Sequence, residues 1–375
     1  MRIAVTGSAG FLGWHVRCSA LAAGVECVPV DRATMGDPDR LQAALKGAGA
    51  VLHCAGVNRG SDADVAEGNA WLARQLGEAV ERVGHPVRVV YANSVHARGG
   101  GAYGEGKRHA AELLEKVACT SGGFSDVLLP NLYGEHGRPH YNSFVATFCH
   151  EVAHGREPDL ANDREIPLLH AQDAAAVLLR EATRTGSTVV RPRGEPVSVS
   201  DVLGQLHTFE AVYRSGELPD IASPFSARLF NTYRSHLFPA RYPLRVPPRS
   251  DARGRLVECV RTGYAGGQAF VSTTEPGAVR GNHFHLRKLE RFLVVEGDAE
   301  IALRRLFYDR VVRFRVSGAS PGIVDMPTMW VHNLANVGDR PVTTFFWTNE
   351  LFSPGDADTF ADVVDRREST PGATA

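Results

Sequence analysis

The segment that most constrains the fold lies at the N-terminus, where a short apolar run, RIAVTG (2–7), leads into the loop TGSAGFLG (6–13). Gly7, Gly10 and Gly13 form the pattern G-x-x-G-x-x-G. Glycines at this spacing allow a tight turn, close approach of the backbone to a pyrophosphate, and close packing of a helix on a strand. Glycine patterns also arise in chance turns, but this one follows a strand and opens a helix. It therefore predicts a dinucleotide-binding loop.

The residues around this loop agree with that interpretation. The helical pattern that follows begins at Phe11 and Leu12, so that the helix N-terminus faces the phosphates. A second strand, ECVPV, ends at Asp31 and Arg32. An acidic residue here binds a free ribose 2′-hydroxyl, whereas an arginine pairs with a 2′-phosphate. The two adjacent residues favour opposite cofactors, so on their own they leave both NADPH and NADH possible.

Strands and helices continue to alternate through residue 190. AVLHCAG (50–56) has the pattern of a buried strand, residues 64–84 that of a helix, and PVRVVYANS (86–94) that of another strand. This alternation predicts an α/β fold with a doubly wound parallel sheet. Ligands of such sheets lie at the carboxyl ends of the strands, which places Ala55, Gly56 and Ser94 beside the cofactor.

A candidate catalytic pair follows in AYGEGKRHAAELLEKV (102–117). Tyr103 and Lys107 stand four residues apart at a helix start, so their side chains share one face. We expect the lysine to lower the phenol pKa, the phenol to exchange a proton with a carbonyl oxygen, and Ser94 to hydrogen-bond that oxygen. Tyrosine and lysine at this spacing are also common on solvated helices. Chemistry is favoured because the chain has only four lysines and this pair follows a strand-end serine.

The composition excludes several classes of partner. The formal net charge is −1, so no broad positive field exists to attract nucleic acid or an anionic membrane surface. No stretch reaches the roughly 18 uncharged apolar residues of a membrane span, and the N-terminus lacks a signal-peptide pattern. Six widely separated cysteines without CxxC pairs are typical of reduced thiols. We expect a cytoplasmic protein without nucleic-acid or membrane partners.

The predicted secondary structure changes from helical to β-rich near residue 246. Helical stretches fill residues 198–245, and prolines then cluster in FPARYPLRVPPRSDARG (238–254), which marks a linker or domain entry. Beyond 254, short β-rich runs alternate with Gly, Pro, Asp and Asn turns, which predicts an antiparallel sandwich or barrel. We therefore predict a first domain over 1–245, an all-β barrel over 246–365 and a flexible tail over 366–375.

The β-rich region contains a candidate metal site in GNHFHLRKLERFLVVEG (281–297). Strand alternation points His283 and His285 to one face, Glu290 can return to that face across a hairpin, and His332 supplies a third imidazole from a later strand. Three imidazoles and a carboxylate suit Zn²⁺, and would also hold Mn²⁺, Fe²⁺ or Ni²⁺. The alternative is that the histidines are half-buried strand residues. These are, however, the only three histidines after residue 246.

The motifs of the two halves resemble two known families. TGSAGFLG, Ser94 and Tyr103-Gly-Glu-Gly-Lys107 resemble the extended short-chain dehydrogenase/reductases that act on nucleotide sugars, a Rossmann-type fold. That resemblance implies that Asn131 and the segment 164–173 line the nucleotide-sugar cleft, although His170 and Asp173 fit an ordinary helix-entry cap equally well. The histidine motifs resemble those of cupin barrels, except that Met329 stands where a glycine is common.

The order of the two parts resembles the bifunctional capsular-polysaccharide enzymes of CapF type. The likeness also rests on AGVNRG, HYNSFVATFCHEVAHG and FFWTNELFSPGDADTF, which lie outside generic reductase or cupin motifs. It implies that the cupin epimerises C3 of a UDP-linked 2-acetamido-2,6-dideoxy-4-hexulose and that the reductase then delivers hydride to C4. The resemblance also tips the expected cofactor modestly toward NADPH, with NADH possible. Metal, histidine and Lys288 would serve the epimerisation. A homodimer is expected, through the helices at 64–84 and 103–118.

Two other interpretations are compatible with the same residues. In the first, the chain is a nucleotide-sugar 4-ketoreductase whose cupin is a metal-stabilised module for sugar binding or dimerisation. In the second, an epimerase keeps its NAD bound and returns the hydride, which the second site-like domain disfavours. Whether the metal is structural or catalytic stays open, because a closed four-ligand site favours a structural role.

Overall fold

In the computed structural model, the described residues are 1–160, 162–245, 249–251, 254–256, 259–262, 266–351 and 353–365. By packing, the chain divides into two compact units. Met1–Arg138 and Asn162–Val199 form the first unit, and Pro139–Ala161 and Ser200–Ala375 form the second.

The first unit is built on a six-stranded parallel sheet. Its strands and those of a small adjoining sheet are β1 (Arg2–Thr6), β2 (Glu26–Val30), β3 (Ala50–His53), β4 (Arg88–Ser94), β5 (Phe124–Leu129), β6 (Asn131–Tyr133), β7 (Glu165–His170), β8 (Thr188–Val190) and β9 (Glu195–Ser198). The large sheet has the order β2-β1-β3-β4-β5-β8, and every neighbouring pair is parallel. The small sheet has the order β6-β7-β9.

Helices cover both faces of the large sheet. The helices of the chain are α1 (Phe11–Ala22), α2 (Arg32–Met35), α3 (Pro38–Leu45), α4 (Asp62–Arg82), α5 (Ala102–Ala118), α6 (Phe144–Ala153), α7 (Ala171–Glu181), α8 (Val199–Tyr213) and α9 (Pro224–Leu237). Val89 and Tyr91 of β4 join a core with α3, α4 and α5, whereas Val90 and Ala92 join a second core with α1 and α7. The predicted doubly wound α/β fold is therefore confirmed.

The second unit contains two five-stranded antiparallel sheets. Its strands are β10 (Leu244–Arg245), β11 (Arg249–Asp251), β12 (Gly254–Leu256), β13 (Gln268–Thr274), β14 (Val279–Phe284), β15 (Glu290–Glu296), β16 (Asp298–Arg305), β17 (Val311–Ser317), β18 (Gly322–Met326), β19 (Trp330–Asn336), β20 (Val342–Thr348) and β21 (Phe360–Ala361). The sheet orders are β10-β18-β15-β20-β13 and β17-β16-β19-β14-β21, with β11 and β12 as a separate pair. Phe292, Phe346, Ile301 and Leu334 pack between the sheets. This architecture agrees with the predicted all-β cupin barrel.

A buried polar network joins α8 and α9 to the barrel within the second unit. The Arg291 guanidinium donates to both carboxylate oxygens of Asp325, at 2.7 and 2.9 Å, and neither side chain is exposed. Tyr213 of α8 also donates to Asp325 and hydrogen-bonds Tyr242 at 2.6 Å. Arg234 of α9 donates to the Met326 carbonyl oxygen at 3.2 Å. Because these hydrogen bonds are made out of water, they connect α8 and α9 to the barrel through one buried polar network.

The predicted domain boundary at 245/246 falls beside residues 246–248, which lie outside the described residues, and it remains a prediction. The same holds for the predicted flexible tail over 366–375, which also lies outside the described residues. By packing, α6, α9 and nearly all of α8 belong with the barrel. All six cysteines are free thiols, as expected. Among the described residues, no helix combines the length and apolarity that crossing a membrane requires.

We predict that Asp325→Ala destabilises the second unit strongly. Removing one partner of a buried ion pair leaves the Arg291 charge without compensation, so the free energy of unfolding should fall by about 3–5 kcal/mol. Arg315→Ala is the control, because Arg315 pairs with Glu300 at an exposed position and its loss should cost less than about 1 kcal/mol. Denaturant unfolding of both variants measures the difference, and equal losses would contradict the role given to Asp325.

Candidate active site and metal centre

The glycine loop brings β1, α1 and β3 into close contact. Gly7 has a φ of +62°, and a Cβ there would lie 2.8 Å from the Ala55 backbone. A Cβ on Gly13 would lie 2.2 Å from the Gly7 carbonyl oxygen. Gly10 precedes Phe11 and Leu12 as the N-cap of α1, without a side-chain cap on the first helical N–H groups. The loop therefore presents backbone donors at a helix N-terminus, which suits a pyrophosphate.

The residues predicted to contact the rest of the cofactor lie at the same edge of the sheet. Asp31 and Arg32 follow β2 and are exposed, and the Asp31 carboxylate accepts a 2.8 Å hydrogen bond from the Thr34 N–H at the start of α2. That hydrogen bond lowers the pKa of Asp31. Ala55 and Gly56 follow β3. Asp31 thus remains a carboxylate that caps a helix, at the position where a ribose hydroxyl or phosphate is expected.

Ser94 and Tyr103 meet at the end of β4. The Ser94 hydroxyl hydrogen-bonds the Tyr103 phenol, and it also accepts from the His96 N–H at 3.2 Å. Burial raises the pKa of Tyr103, and the hydrogen bond from Ser94 opposes this only in part. The predicted lowering of this pKa by Lys107 is therefore wrong. The phenol stays protonated at neutral pH, which suits donation of a proton to a ketone oxygen.

Lys107 lies one helical turn further along α5 and is buried. Its ammonium donates to the Ala92 carbonyl oxygen at 3.0 Å and lies 4.5 Å from the centre of the Tyr91 ring. Burial lowers the pKa of Lys107 to about 8, although Cys54 and Asp126 favour the charged form. The amine thus hydrogen-bonds the backbone of β4 rather than the phenol, and burial sets the net direction of the Tyr103 pKa.

Of the residues assigned to the sugar cleft, His170 has a structural role in the first unit. It is the N-cap of α7, where its ring accepts from the Gln172 N–H at 3.4 Å, so the helix-entry cap is confirmed. Its other nitrogen lies 3.1 Å from the buried Glu135 carboxylate. Burial opposes ionisation of Glu135, but His170 lowers the pKa of Glu135 to about 2. Asn131 is exposed at the start of β6, and Asp173 lies in the first turn of α7.

The four predicted metal ligands converge in the barrel. Nε2 of His283, His285 and His332 lies 3.8, 3.0 and 3.3 Å from Oε2 of Glu290. One ligand atom from each residue can be chosen so that all four lie within 4.8 Å of one another. Burial alone would raise the pKa of Glu290, but hydrogen bonds from the three imidazoles hold it well below its ordinary value. A carboxylate among three imidazoles is the donor set that a divalent transition metal prefers.

Outer hydrogen bonds fix the orientation of two of these imidazoles. Nδ1 of His285 donates to the Asp358 carbonyl oxygen at 2.5 Å, and Nδ1 of His332 donates to the Trp330 carbonyl oxygen at 3.2 Å. In its neutral form, each ring carries its single proton on Nδ1, away from Glu290, and directs the lone pair of Nε2 toward the cluster. This arrangement is the one in which imidazoles bind a metal, so the residues present fit the predicted ion.

The turn before β19 keeps the geometry that glycine usually provides. Met329 has a φ of +62° and is fully buried, and its N–H donates to the His285 carbonyl oxygen at 2.7 Å. The methionine therefore adopts the left-handed conformation that favours glycine, and its side chain adds buried apolar area. Lys288, expected to serve the epimerisation, donates its ammonium to the Ala357 carbonyl oxygen at 2.6 Å.

Two further residues shape the sites and were missed from the sequence. Asn69 of α4 accepts from the Val57 N–H and donates to the Val57 carbonyl oxygen, which fixes the backbone next to Gly56. The Asp358 carboxylate accepts N–H groups from three successive residues of the loop between His285 and Glu290, at 2.8–3.0 Å. No local pattern marks either residue, although Asp358 lies inside a segment quoted for the family resemblance.

The fold and the first site define an NAD(P)-dependent enzyme of the short-chain dehydrogenase/reductase class. Residues 3–190 match the NAD dependent epimerase/dehydratase family, and residues 249–360 match the polysaccharide biosynthesis C-terminal domain. The chain therefore belongs to the NAD dependent epimerase/dehydratase family and carries a polysaccharide biosynthesis C-terminal domain.

Two similar proteins match nearly the whole chain. UDP-2-acetamido-2,6-beta-L-arabino-hexul-4-ose reductase of Pseudomonas aeruginosa is 32% identical over 97% of this chain and 99% of its own length. The crystal structure of the capsular polysaccharide assembling protein CapF from Staphylococcus aureus is 29% identical, with a TM-score of 0.60 over 97% of this chain and 100% of that chain. The resemblance to CapF-type enzymes is confirmed.

A third similar structure covers the first part of the chain. UDP-N-acetylglucosamine 4-epimerase from Bacillus cereus is 20% identical, with a TM-score of 0.51 over 56% of this chain and 82% of that chain. This likeness shows the shared fold alone.

We predict that the reduction rate depends on the charge of Lys107. The amine is protonated below pH of about 8 and neutral above it, so kcat/KM should be full at lower pH and fall as the pH rises through about 8. Lys107→Arg keeps a cation at all these pH values. The fall in kcat/KM should therefore move to higher pH by more than about one pH unit, whatever the absolute rate of the variant. A pH profile unchanged by this substitution would rule out Lys107 as the titrating group.

We predict that the barrel binds one divalent metal ion per chain and that His285→Ala abolishes this binding. The variant loses a buried ligand, so the remaining three donors form an incomplete site and metal content should fall by one equivalent per chain. His109→Ala is the matched control, because His109 is exposed on α5 and should leave the metal content unchanged. Elemental analysis measures the metal content of both variants. A full equivalent of metal in His285→Ala would reject the assignment of His285 as a metal ligand.

Proposed function

We propose that this chain converts a UDP-linked 2-acetamido-2,6-dideoxy-4-hexulose by C3 epimerisation in the barrel and NADPH-dependent reduction at C4 in the Rossmann-type domain. The match over nearly the whole length to a reductase of a UDP-linked hexul-4-ose supports the substrate class. The hydrogen bond between Ser94 and the protonated Tyr103, beside Lys107, is the observation that carries the reductase assignment.

The reduction needs a proton for the oxygen of the ketone. NADPH, when bound along the glycine loop, supplies the hydride for C4. Tyr103 donates its phenolic proton to the former carbonyl oxygen, so the carbonyl becomes a hydroxyl and the tyrosinate is reprotonated from solvent. Ser94 hydrogen-bonds the same oxygen, and the buried Lys107 supplies positive charge that favours the transient tyrosinate.

The epimerisation needs removal and return of the C3 proton. A 4-keto group makes this proton acidic, since the charge left behind spreads onto the ketone oxygen. The metal held by His283, His285, Glu290 and His332 would supply positive charge that stabilises this enolate. Reduction at C4 then prevents reversal at C3, because the acidifying ketone is gone. The product would be a UDP-N-acetyl-6-deoxytalose-type sugar on the route to N-acetylfucosamine of a surface polysaccharide.

A second candidate function gives the barrel no catalytic role. Glu290 and three histidines already supply four ligands, and a closed four-ligand site is typical of structural metals. Lys288 is engaged with the Ala357 carbonyl oxygen. In this alternative, the chain is a 4-ketoreductase whose barrel binds sugar or stabilises a dimer. The dimer expected through α4 and α5 remains a prediction under either function.

We predict a modest preference for NADPH over NADH. Asp31 would repel a 2′-phosphate while Arg32 would attract it, so Asp31→Asn should raise the ratio of kcat/KM for NADPH to that for NADH by about three- to tenfold. Asparagine retains the N-cap of α2, so the variant changes charge and little else. Arg32→Gln should lower the same ratio. Steady-state kinetics with both cofactors tests this, and preference for NADH by the unmodified chain would contradict it.

We predict that the two activities separate in full-length variants. Tyr103→Phe keeps the fold but lacks the phenolic proton, so NADPH oxidation should fall by on the order of 100-fold while exchange of the C3 proton with deuterated water persists. His285→Ala should lose C3 exchange and retain reduction of a ketone that already has the required C3 configuration. NMR of the 4-keto sugar measures the exchange.

The opposite outcome would support the second candidate function. Loss of C3 exchange in Tyr103→Phe, together with unchanged exchange in a metal-free His285→Ala, would remove the barrel from the chemistry. Both variants are compared with the unmodified chain by circular dichroism, so that unfolding is recognised as such.

A further inference from the structure

A second group of histidines lies in the second unit, outside the barrel. His150 and His154 stand four residues apart on α6, His140 precedes this helix, and His236 is on α9, which packs against α6. The centre of the His150 ring lies 4.2 Å from the centre of the His154 ring, 5.8 Å from that of His140 and 6.1 Å from that of His236. The rings of the barrel cluster lie 4.6–5.3 Å apart, so the His150–His154 pair is closer than these and the other two pairs are more widely spaced.

A carboxylate completes this group of side chains. Nε2 of His140 lies 3.0 Å from Oε1 of Glu151. His140, His150 and Glu151 each offer a ligand atom, and the three atoms lie within 4.8 Å of one another, the same limit that the barrel ligands meet. His140 adopts a φ of +54°, an uncommon conformation for a residue with a side chain. The backbone thus accepts some strain while the ring sits against Glu151.

The proton positions leave imidazole lone pairs available. Nδ1 of His154 lies 2.7 Å from the His150 carbonyl oxygen and must donate its proton to it, so Nε2 of His154 carries a lone pair. Nε2 of His236 is buried and has no hydrogen-bond partner among the described residues. An unsatisfied buried nitrogen is unfavourable, and a metal or an ordered water is the usual remedy.

From this geometry we propose that His140, His150 and Glu151 bind a second divalent transition metal. Imidazole nitrogens with one carboxylate suit Zn²⁺ and Co²⁺ rather than Mg²⁺ or Ca²⁺. The ion would tie the segment before α6 to the C-terminal half of that helix. It would therefore act as a structural clamp in the second unit, independent of the barrel metal and of the proposed chemistry.

Arg156 competes with the ion for Glu151. Its guanidinium donates to both carboxylate oxygens, at 2.5 and 3.0 Å. A bound dication would displace this guanidinium and would also be repelled by it at short range. The site should therefore have moderate affinity, and removing the arginine charge should strengthen binding. Removing a ligand and removing the Arg156 charge should therefore change the metal affinity in opposite directions.

The test is a titration of the chelator-treated, untagged full-length chain with Co²⁺ alone. Binding is monitored by calorimetry and by visible absorption. The unmodified chain should bind two ions. His150→Ala should bind one, with the second site weakened by at least about 100-fold. Arg156→Gln should still bind two, with the weaker site tightened about fivefold. His109→Ala, an exposed histidine of the first unit, is the control and should match the unmodified chain.

Other outcomes would overturn the proposal. A single Co²⁺ in the unmodified chain that disappears in His285→Ala would leave only the barrel site. Two ions in His150→Ala, or weaker binding in Arg156→Gln, would show that these residues do not form the site. If His150→Ala unfolds, His140→Ala replaces it, because His140 is an exposed member of the same group, and it should weaken the same site. Binding of two ions by a folded His140→Ala with unchanged affinity would equally reject the ligand set.

Discussion

The alternation of side chains along β15 is the constraint on which the second unit depends. Glu290 and Phe292 face the interior, where Phe292 joins the core and Glu290 meets three histidines. Arg291, between them, faces the other way and pairs with the buried Asp325 of β18. If the pairing of β15 shifted by one residue, these directions would be exchanged. Glu290 would then lie outside the barrel and the Arg291 guanidinium inside it. The buried ion pair therefore fixes the register that delivers Glu290 to its site.

Burial determines the chemistry of the first unit in a comparable way. Removing Tyr103 and Lys107 from water favours the neutral form of each side chain. Burial therefore keeps the phenol protonated and lowers the pKa of the Lys107 amine to about 8. A protonated phenol can donate its proton to a ketone oxygen. The site therefore suits reduction of a ketone.

The sequence predicts what is encoded by local spacing. The glycine loop precedes α1, and the four residues predicted as metal ligands converge in the barrel, because each motif depends on helix or strand periodicity over a few residues. Contacts between distant residues were not accessible in this way. His285 and Asp358 are 73 positions apart. The direction of the Tyr103 pKa was also wrong, because spacing alone does not reveal the burial that raises it.

The two sites perform consecutive steps on one sugar if the proposed function holds. Proton exchange at C3 requires the 4-keto group, and reduction at C4 removes that group, so the order of the steps is set by the chemistry of the ketone. The most direct measurement is the mass and NMR spectrum of the product that the unmodified chain forms from the 4-keto UDP-sugar and NADPH in deuterated water. One carbon-bound deuterium at C3, with inverted configuration there, is the predicted result. A product with protium and the original configuration at C3 would contradict the account.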